Sequence, residues 1–214
     1  MRVRRKLSAP LRELEQDIAQ LKRTDADNQA KYVPGAGRPA SGSLSKAQLH
    51  LLTEALFFRG FRSFEGFIRD VFLLYCIEKK PSGLRHVRSF LAPSSFAHAE
   101  ELVKGEGRFL GWASPDNVLS RAEIYLEDGF PVKDVYAPRM GMLRDLKRLR
   151  NHIAHDSPES RSDYLKVLRN HYGTTPLIVP EPGEYLLVTD TADPTKYKLT
   201  VYLDFIMDTA RAMT

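Results

Sequence analysis

No stretch of this sequence stays apolar for long. The longest uninterrupted run, 71–77, covers seven residues, far short of the ~20 that a membrane-spanning helix needs. Cysteine is nearly absent: Cys76 stands alone inside that run. An internal disulfide is therefore excluded, Cys76 is expected in the core, and a reducing cytoplasm is the expected setting. The basic start, Met-Arg-Val-Arg-Arg-Lys, leads into no apolar signal core, which argues against secretion. Gly35-Ala36-Gly37-Arg38-Pro39 has neither the Gly-Lys-Ser/Thr ending of a phosphate loop nor an apolar strand before it, so it reads as flexible. Histidines are few and scattered. His50, His86, His98 and His171 have no ligand spacing, and only His152, His155 and Asp156 come close together. Neither a structural zinc nor any other cofactor is expected.

What is present is the balance of a soluble globular chain. The 214 residues, 43% hydrophobic and 28% charged, suit one domain spanning 1–214. A net charge of +5 permits a polyanionic partner without requiring one, so the position of the charge matters more than its sum.

Apolar spacing predicts an all-α helical bundle. Ser8-Ala9-Pro10 opens a helix carrying Leu11, Leu14, Ile18 and Leu21. The pattern ends at Thr24, and the composition from there predicts a flexible loop over about 24–43. Ser43 or Ser45 can cap a second helix with Leu49, Leu52, Leu56 and Phe57. Gly60 reads as an interruption before a very apolar segment from Phe61 to Ile77, whose broad face suits a central helix. Shorter helices punctuated by proline are expected over 84–140. A helix from about Arg139 to His155 buries Met142, Leu146, Leu149 and Ile153. Ser157-Pro158 then caps another over 158–172. Leu177 to Val179 and Tyr185 to Thr189, flanking Pro-Glu-Pro-Gly, predict a small β-hairpin at about 176–190. A last helix is expected from Leu199 to Ala212.

One segment carries chemistry. Arg144, Arg148, Asn151 and His155 share a polar helix face opposite the apolar stripe. Cleavage of RNA without a metal needs a base for the 2′-hydroxyl proton and a cation for the developing phosphate charge. Histidine suits the first role because its pKa lies near neutrality; arginine suits the second because it stays charged and donates in a fork. Asparagine can hold a phosphate oxygen or fix the histidine tautomer. With 20 Arg, 4 Asn and 6 His in the chain, Arg-Asn-x-x-x-His arises by chance roughly 0.01 times, so the pattern is informative.

Arg150-Asn151-x-x-x-His155 near the end of a helix resembles the signature of the HEPN superfamily. These are small all-helical domains of prokaryotic toxins, antiviral systems and RNA-processing enzymes. The resemblance is strongest over 139–172 and extends more weakly to Arg62-Ser63-Phe64-Glu65-Gly66-Phe67. Residues 1–40 and 176–200 match no part of it. It implies a metal-independent endoribonuclease with Arg150, Asn151 and His155 as catalytic residues and a 2′,3′-cyclic phosphate product. Arg144, Arg148 and His152 are the expected RNA contacts. Arg150 and His155 lie about 140° apart around one helix, too far to clasp one phosphate easily from one chain. A two-fold homodimer with a composite site resolves this, as HEPN nucleases are thought to do. An antitoxin or another defence-system protein is the further partner implied.

Competing readings accompany each residue. Arg150 and Asn151 suit an ordinary helix surface, and His155 suits a cation at a helix C-terminus. His152 reads as a second acid–base group, an RNA contact or idle surface. Glu65 reads as a local partner of Arg62 or Arg69, or as an acid that orients the catalytic arginine. Arg169-Asn170-His171 nearly repeats the motif but has Thr174 where a second histidine would stand. A non-catalytic dimerisation or RNA- or nucleotide-binding module, or a regulatory subunit, is the alternative for the whole chain.

Overall fold

The computed structural model describes residues 6–34, 42–81, 85–104, 111–155 and 157–214. Its elements are helical: α1 Ser8–Lys31, α2 Lys46–Cys76, α3 Phe96–Lys104, α4 Pro115–Tyr125, α5 Val132–Tyr136, α6 Met140–Ala154, α7 Pro158–Tyr172, α8 Pro182–Leu186 and α9 Lys198–Ala212. Among the described residues there is no sheet, only isolated bridges such as Thr189 to Tyr197. No described helix is long and apolar enough to cross a membrane.

The all-α expectation holds, with four corrections. First, α1 continues past Thr24 to Lys31. Residues 24–31 are polar but contain neither glycine nor proline, so nothing in them breaks a helix. The loop expected over 24–43 thus begins after Lys31, and its stretch 35–41 lies outside the described residues. Second, α2 runs unbroken through Gly60. A Cβ there would stand 2.7 Å from Leu203 Cδ2 and 3.3 Å from Leu21 Cδ1, so this glycine marks close packing rather than a break. Third, residues of the expected hairpin form α8. Pro182 takes the first helical position behind Glu181, where its fixed φ and missing N–H suit a helix start. Leu177 and Ile178 are solvent-exposed, so no strand face is buried. Fourth, the stripe of α6 buries Leu143, Leu146 and Leu149, while Met142 and Ile153 are only half-buried.

Local chemistry explains the helix starts. Ser45 caps α2 reciprocally: Ser45 Oγ accepts from Gln48 N at 3.2 Å, and Gln48 Oε1 accepts from Ser45 N at 2.9 Å. Ser157 and Ser160 do the same for α7, at 3.1 and 3.2 Å. That helix ends on Gly173 at φ 76°, a left-handed cap that favours glycine.

The chain divides into two compact units. The first contains the described residues up to Glu15, Ser63–Lys147 and Met207–Thr214. Its core takes Phe67, Ile68, Val71 and Phe72 from α2, Val118 and Ala122 from α4, and Leu143 and Leu146 from α6. Phe72 packs at 5.3 Å on Trp112, the Tyr75 hydroxyl donates to the Met213 carbonyl, and burial pushes the Cys76 thiol up to about 12. The second contains Gln16–Arg62 and Arg148–Ile206. Its core joins Ile18 and Leu21 to Phe57, Tyr164, Tyr185, Tyr202 and Leu203. A nearly buried Lys198–Asp190 ion pair ties the start of α9 to the loop before it.

Candidate functional site

The motif occupies the last turn of α6 and the residue beyond it. His155 follows Ala154, the last residue of the helix, yet its N–H still reaches the Asn151 carbonyl at 2.9 Å. The His155 side chain is exposed. Ser160 fixes the connection from α7. Its hydroxyl donates to the His155 carbonyl and lies 3.3 Å from His152 Nδ1. One buried serine thus sets the exit of α6 and the entry of α7.

Arg150 and Asn151 touch directly, with Arg150 Nη1 donating to Asn151 Oδ1 at 3.2 Å. The Arg150 guanidinium also lies over the Phe58 ring, 5.3 Å from its centroid, and the residue is half-buried. It is therefore a packed cation rather than a solvated one.

The expected RNA contacts, all on α6, differ in their partners. Arg144 belongs to the first unit, where it grips Asp116 through Nη2 at 2.5 Å and Nε at 3.1 Å. Each partner holds the other's charged form: Asp116 is lowered and Arg144 raised, chiefly through this hydrogen bond. Arg148 belongs to the second unit and is half-buried. Glu65 is half-buried in the first unit. Of its two expected local partners, Arg69 makes ion pairs with Glu100 at 2.7 Å and Asp70 at 3.3 Å.

His152, one turn after Arg148 on α6, has an aromatic partner. Its ring stacks on Tyr164 with centroids 4.8 Å apart and planes within 19°. The stack lines a cleft of about 320 Å³ together with Glu54, Ile153, Arg161, Val179, Pro180, Glu181 and Pro182, all within the second unit. Glu54 is half-buried, and its Oε1 accepts the Gly183 N–H at 2.8 Å. Burial raises its pKa above 4.5, the Gly183 hydrogen bond opposes this, and the charge of Glu181 adds to it. The Tyr164 hydroxyl donates to the Pro180 carbonyl at 3.0 Å, and burial raises its pKa strongly. The sequence reading missed Glu54, Arg161, Tyr164 and Glu181. Their one visible signal was Pro180-Glu181-Pro182-Gly183, which equally suits a hairpin turn.

Glu54 gives a pH signature. Its raised folded-state pKa means that the folded chain holds more protons than the unfolded one between 4.5 and that raised value. Stability from this group therefore falls as pH climbs through the window. Glu54→Gln keeps an acceptor for Gly183 and removes the charge that burial disfavours. Urea unfolding should find Glu54→Gln more stable than wild type at about pH 7, with a smaller gain at about pH 4. Glu181, His152, Arg161 and Tyr164 face the same cleft and are common to both chains, so the difference isolates Glu54. Equal differences at the two pH values would contradict the assignment.

Among the described residues no group of three or more His, Cys, Asp or Glu side chains is placed to hold a metal, and Asp156 lies outside them. No family model, curated protein or solved structure matches the chain.

Proposed function

We propose that the chain is a metal-independent endoribonuclease with a HEPN-like helical bundle, acting as a homodimer with Arg150, Asn151 and His155 at a composite interface site. The supporting observation is the end of α6, where Arg150 and Asn151 are joined and His155 stands exposed five residues after Arg150. In this reading His155 takes the proton of a ribose 2′-hydroxyl as its oxygen attacks the adjacent phosphorus. The bond from phosphorus to the 5′-oxygen breaks, and that oxygen leaves as a hydroxyl after taking up a proton. Arg150 holds the negative charge that builds on the phosphate. The biological setting we infer is a cytoplasmic toxin or antiviral effector, restrained or triggered by an antitoxin or another defence-system protein.

Incubating the purified chain with end-labelled RNA in excess EDTA tests this. Cleavage should persist and leave 2′,3′-cyclic phosphate and 5′-hydroxyl ends. Activity that disappears with chelator and returns with magnesium or manganese would overturn the metal-independent chemistry. The second reading, a non-catalytic module that dimerises, binds RNA or a nucleotide, or regulates a partner, draws on the packing of Arg150 over Phe58. That is a setting in which arginine serves stability as well as chemistry.

A further inference from the structure

We propose that the cleft lined by Glu54, His152, Arg161, Tyr164 and Glu181 is a guanine-reading pocket, with Glu54 accepting from the N1–H and N2–H₂ edge of the base. It takes RNA as the source of the base, and in that respect rests on the nuclease reading. Its chemistry is argued from the cleft alone.

The size comes first. A cleft of about 320 Å³ sits at the lower end of the range for small-molecule sites, which suits one planar group rather than an extended ligand. The walls come next. The half-buried His152 ring forms one side, backed by the fully buried Tyr164, and aromatic side chains, histidine included, are the surface on which unstacked RNA bases are commonly held. Charge then narrows the ligand. Glu54 and Glu181 face the same space as Arg161 and His152. A phosphate would meet the two carboxylates, and a guanidinium or ammonium ion would meet Arg161. A neutral group with donors and acceptors side by side offends neither.

Edge chemistry makes the final choice. Guanine alone of the four bases presents two adjacent donors on its pairing edge. An ionised carboxylate is acceptor-only, with about four lone-pair sites. The Gly183 N–H uses one of those sites on Glu54 and holds the group in place. Arg161, exposed at the rim, is the donor suited to guanine O6 and N7. Adenine would instead turn its N1 lone pair toward the carboxylate.

The test is fluorescence anisotropy at about pH 7 with short 2′-O-methyl oligonucleotides, which cannot be cleaved by 2′-hydroxyl attack. They differ at one central base: guanine, inosine, adenine, cytosine or uracil. The guanine oligonucleotide should bind roughly tenfold tighter than the adenine one, with inosine between them. Glu54→Gln and Arg161→Ala should each lose most of that preference while keeping a cooperative urea transition. Equal affinity for all five would overturn the proposal. So would a guanine preference that survives both substitutions, or competition by arginine amide as effective as by guanosine. Guanosine monophosphate binding as tightly as the oligonucleotide would uphold the pocket and assign its base to a free nucleotide. Guanine-selective binding by a chain that cuts no natural RNA would uphold the pocket while removing the nuclease reading.

Discussion

Replacing Gly183 with alanine should destabilise the protein by about 3 kcal/mol, read as a fall in the midpoint of urea unfolding. A Cβ at this position would run into the His50 carbonyl oxygen and stand 2.7 Å from its carbon and 2.8 Å from its Cα. All three atoms are backbone in the middle of the first turns of α2, so no side-chain rotation relieves the clash. Either α8 or α2 must shift. A shift of α8 also withdraws the Gly183 N–H from Glu54. Gly60→Ala is the internal comparison. The nearest obstacle there is the end of the Leu203 side chain, again at 2.7 Å. Alanine also recovers about 1 kcal/mol of helix propensity over glycine inside a helix. Gly60→Ala should therefore cost distinctly less than Gly183→Ala. Equal losses would mean that the approach of α8 to His50 is not what fixes Gly183.

The same pair shows where sequence reading succeeds and where it stops. The boundary between α6 and α7 was legible because its signals are local: an apolar stripe at helical spacing, then Ser157 and Pro158 in cap and first-turn positions. The all-α class followed from the same kind of pattern. Gly60 was misread because glycine carries two meanings, a weak helix former and a residue that lets another side chain come close, and only Leu203, 143 positions later, decides between them. Pro182-Gly183 was misread for a related reason: the pair that makes a good turn also makes a good helix start. Leu143 displaced Met142 from the stripe because residues three and four positions before Leu146 flank the same helix face, so spacing alone does not choose between them.

The candidate site was legible to the same depth. Arg150, Asn151 and His155 form a pattern within six residues, so the sequence could single them out. It could not say that Arg144 is held by Asp116, since that ion pair joins residues 28 positions apart. Nor could it distinguish the two histidines. His152 and His155 are three residues apart, yet one is stacked in a cleft and the other faces solvent. Glu54 carried no local signal at all. Its place in the cleft is fixed by the backbone of Gly183, 129 positions away.

On the nuclease reading, His155→Ala and Arg150→Ala should each abolish most RNA cleavage in EDTA, but only one of them should disturb the fold. Loss of a general base costs about 10²–10⁴-fold in rate, and loss of a charge-stabilising donor about 10²–10³-fold. His155 is exposed, so its substitution should change stability by less than about 0.5 kcal/mol. Arg150 lies over Phe58, and removing a partly desolvated cation from an aromatic face should cost about 1 kcal/mol. Arg150→Lys separates the effects, since it keeps a cation but removes the fork that holds both Asn151 and a phosphate. It should recover more stability than activity. Mixing the two alanine variants as tag-separated heterodimers then asks how the site is shared. If each site takes its arginine from one subunit and its histidine from the other, the heterodimer holds one intact site and one doubly broken site, and part of the activity returns. If each site needs both motifs complete, the heterodimer forms and stays inactive. Wild-type cleavage by the His155→Ala homodimer would remove His155 from the chemistry. A monomer by light scattering that still cuts RNA would remove the shared site, and the 140° separation would then have to be spanned within one chain.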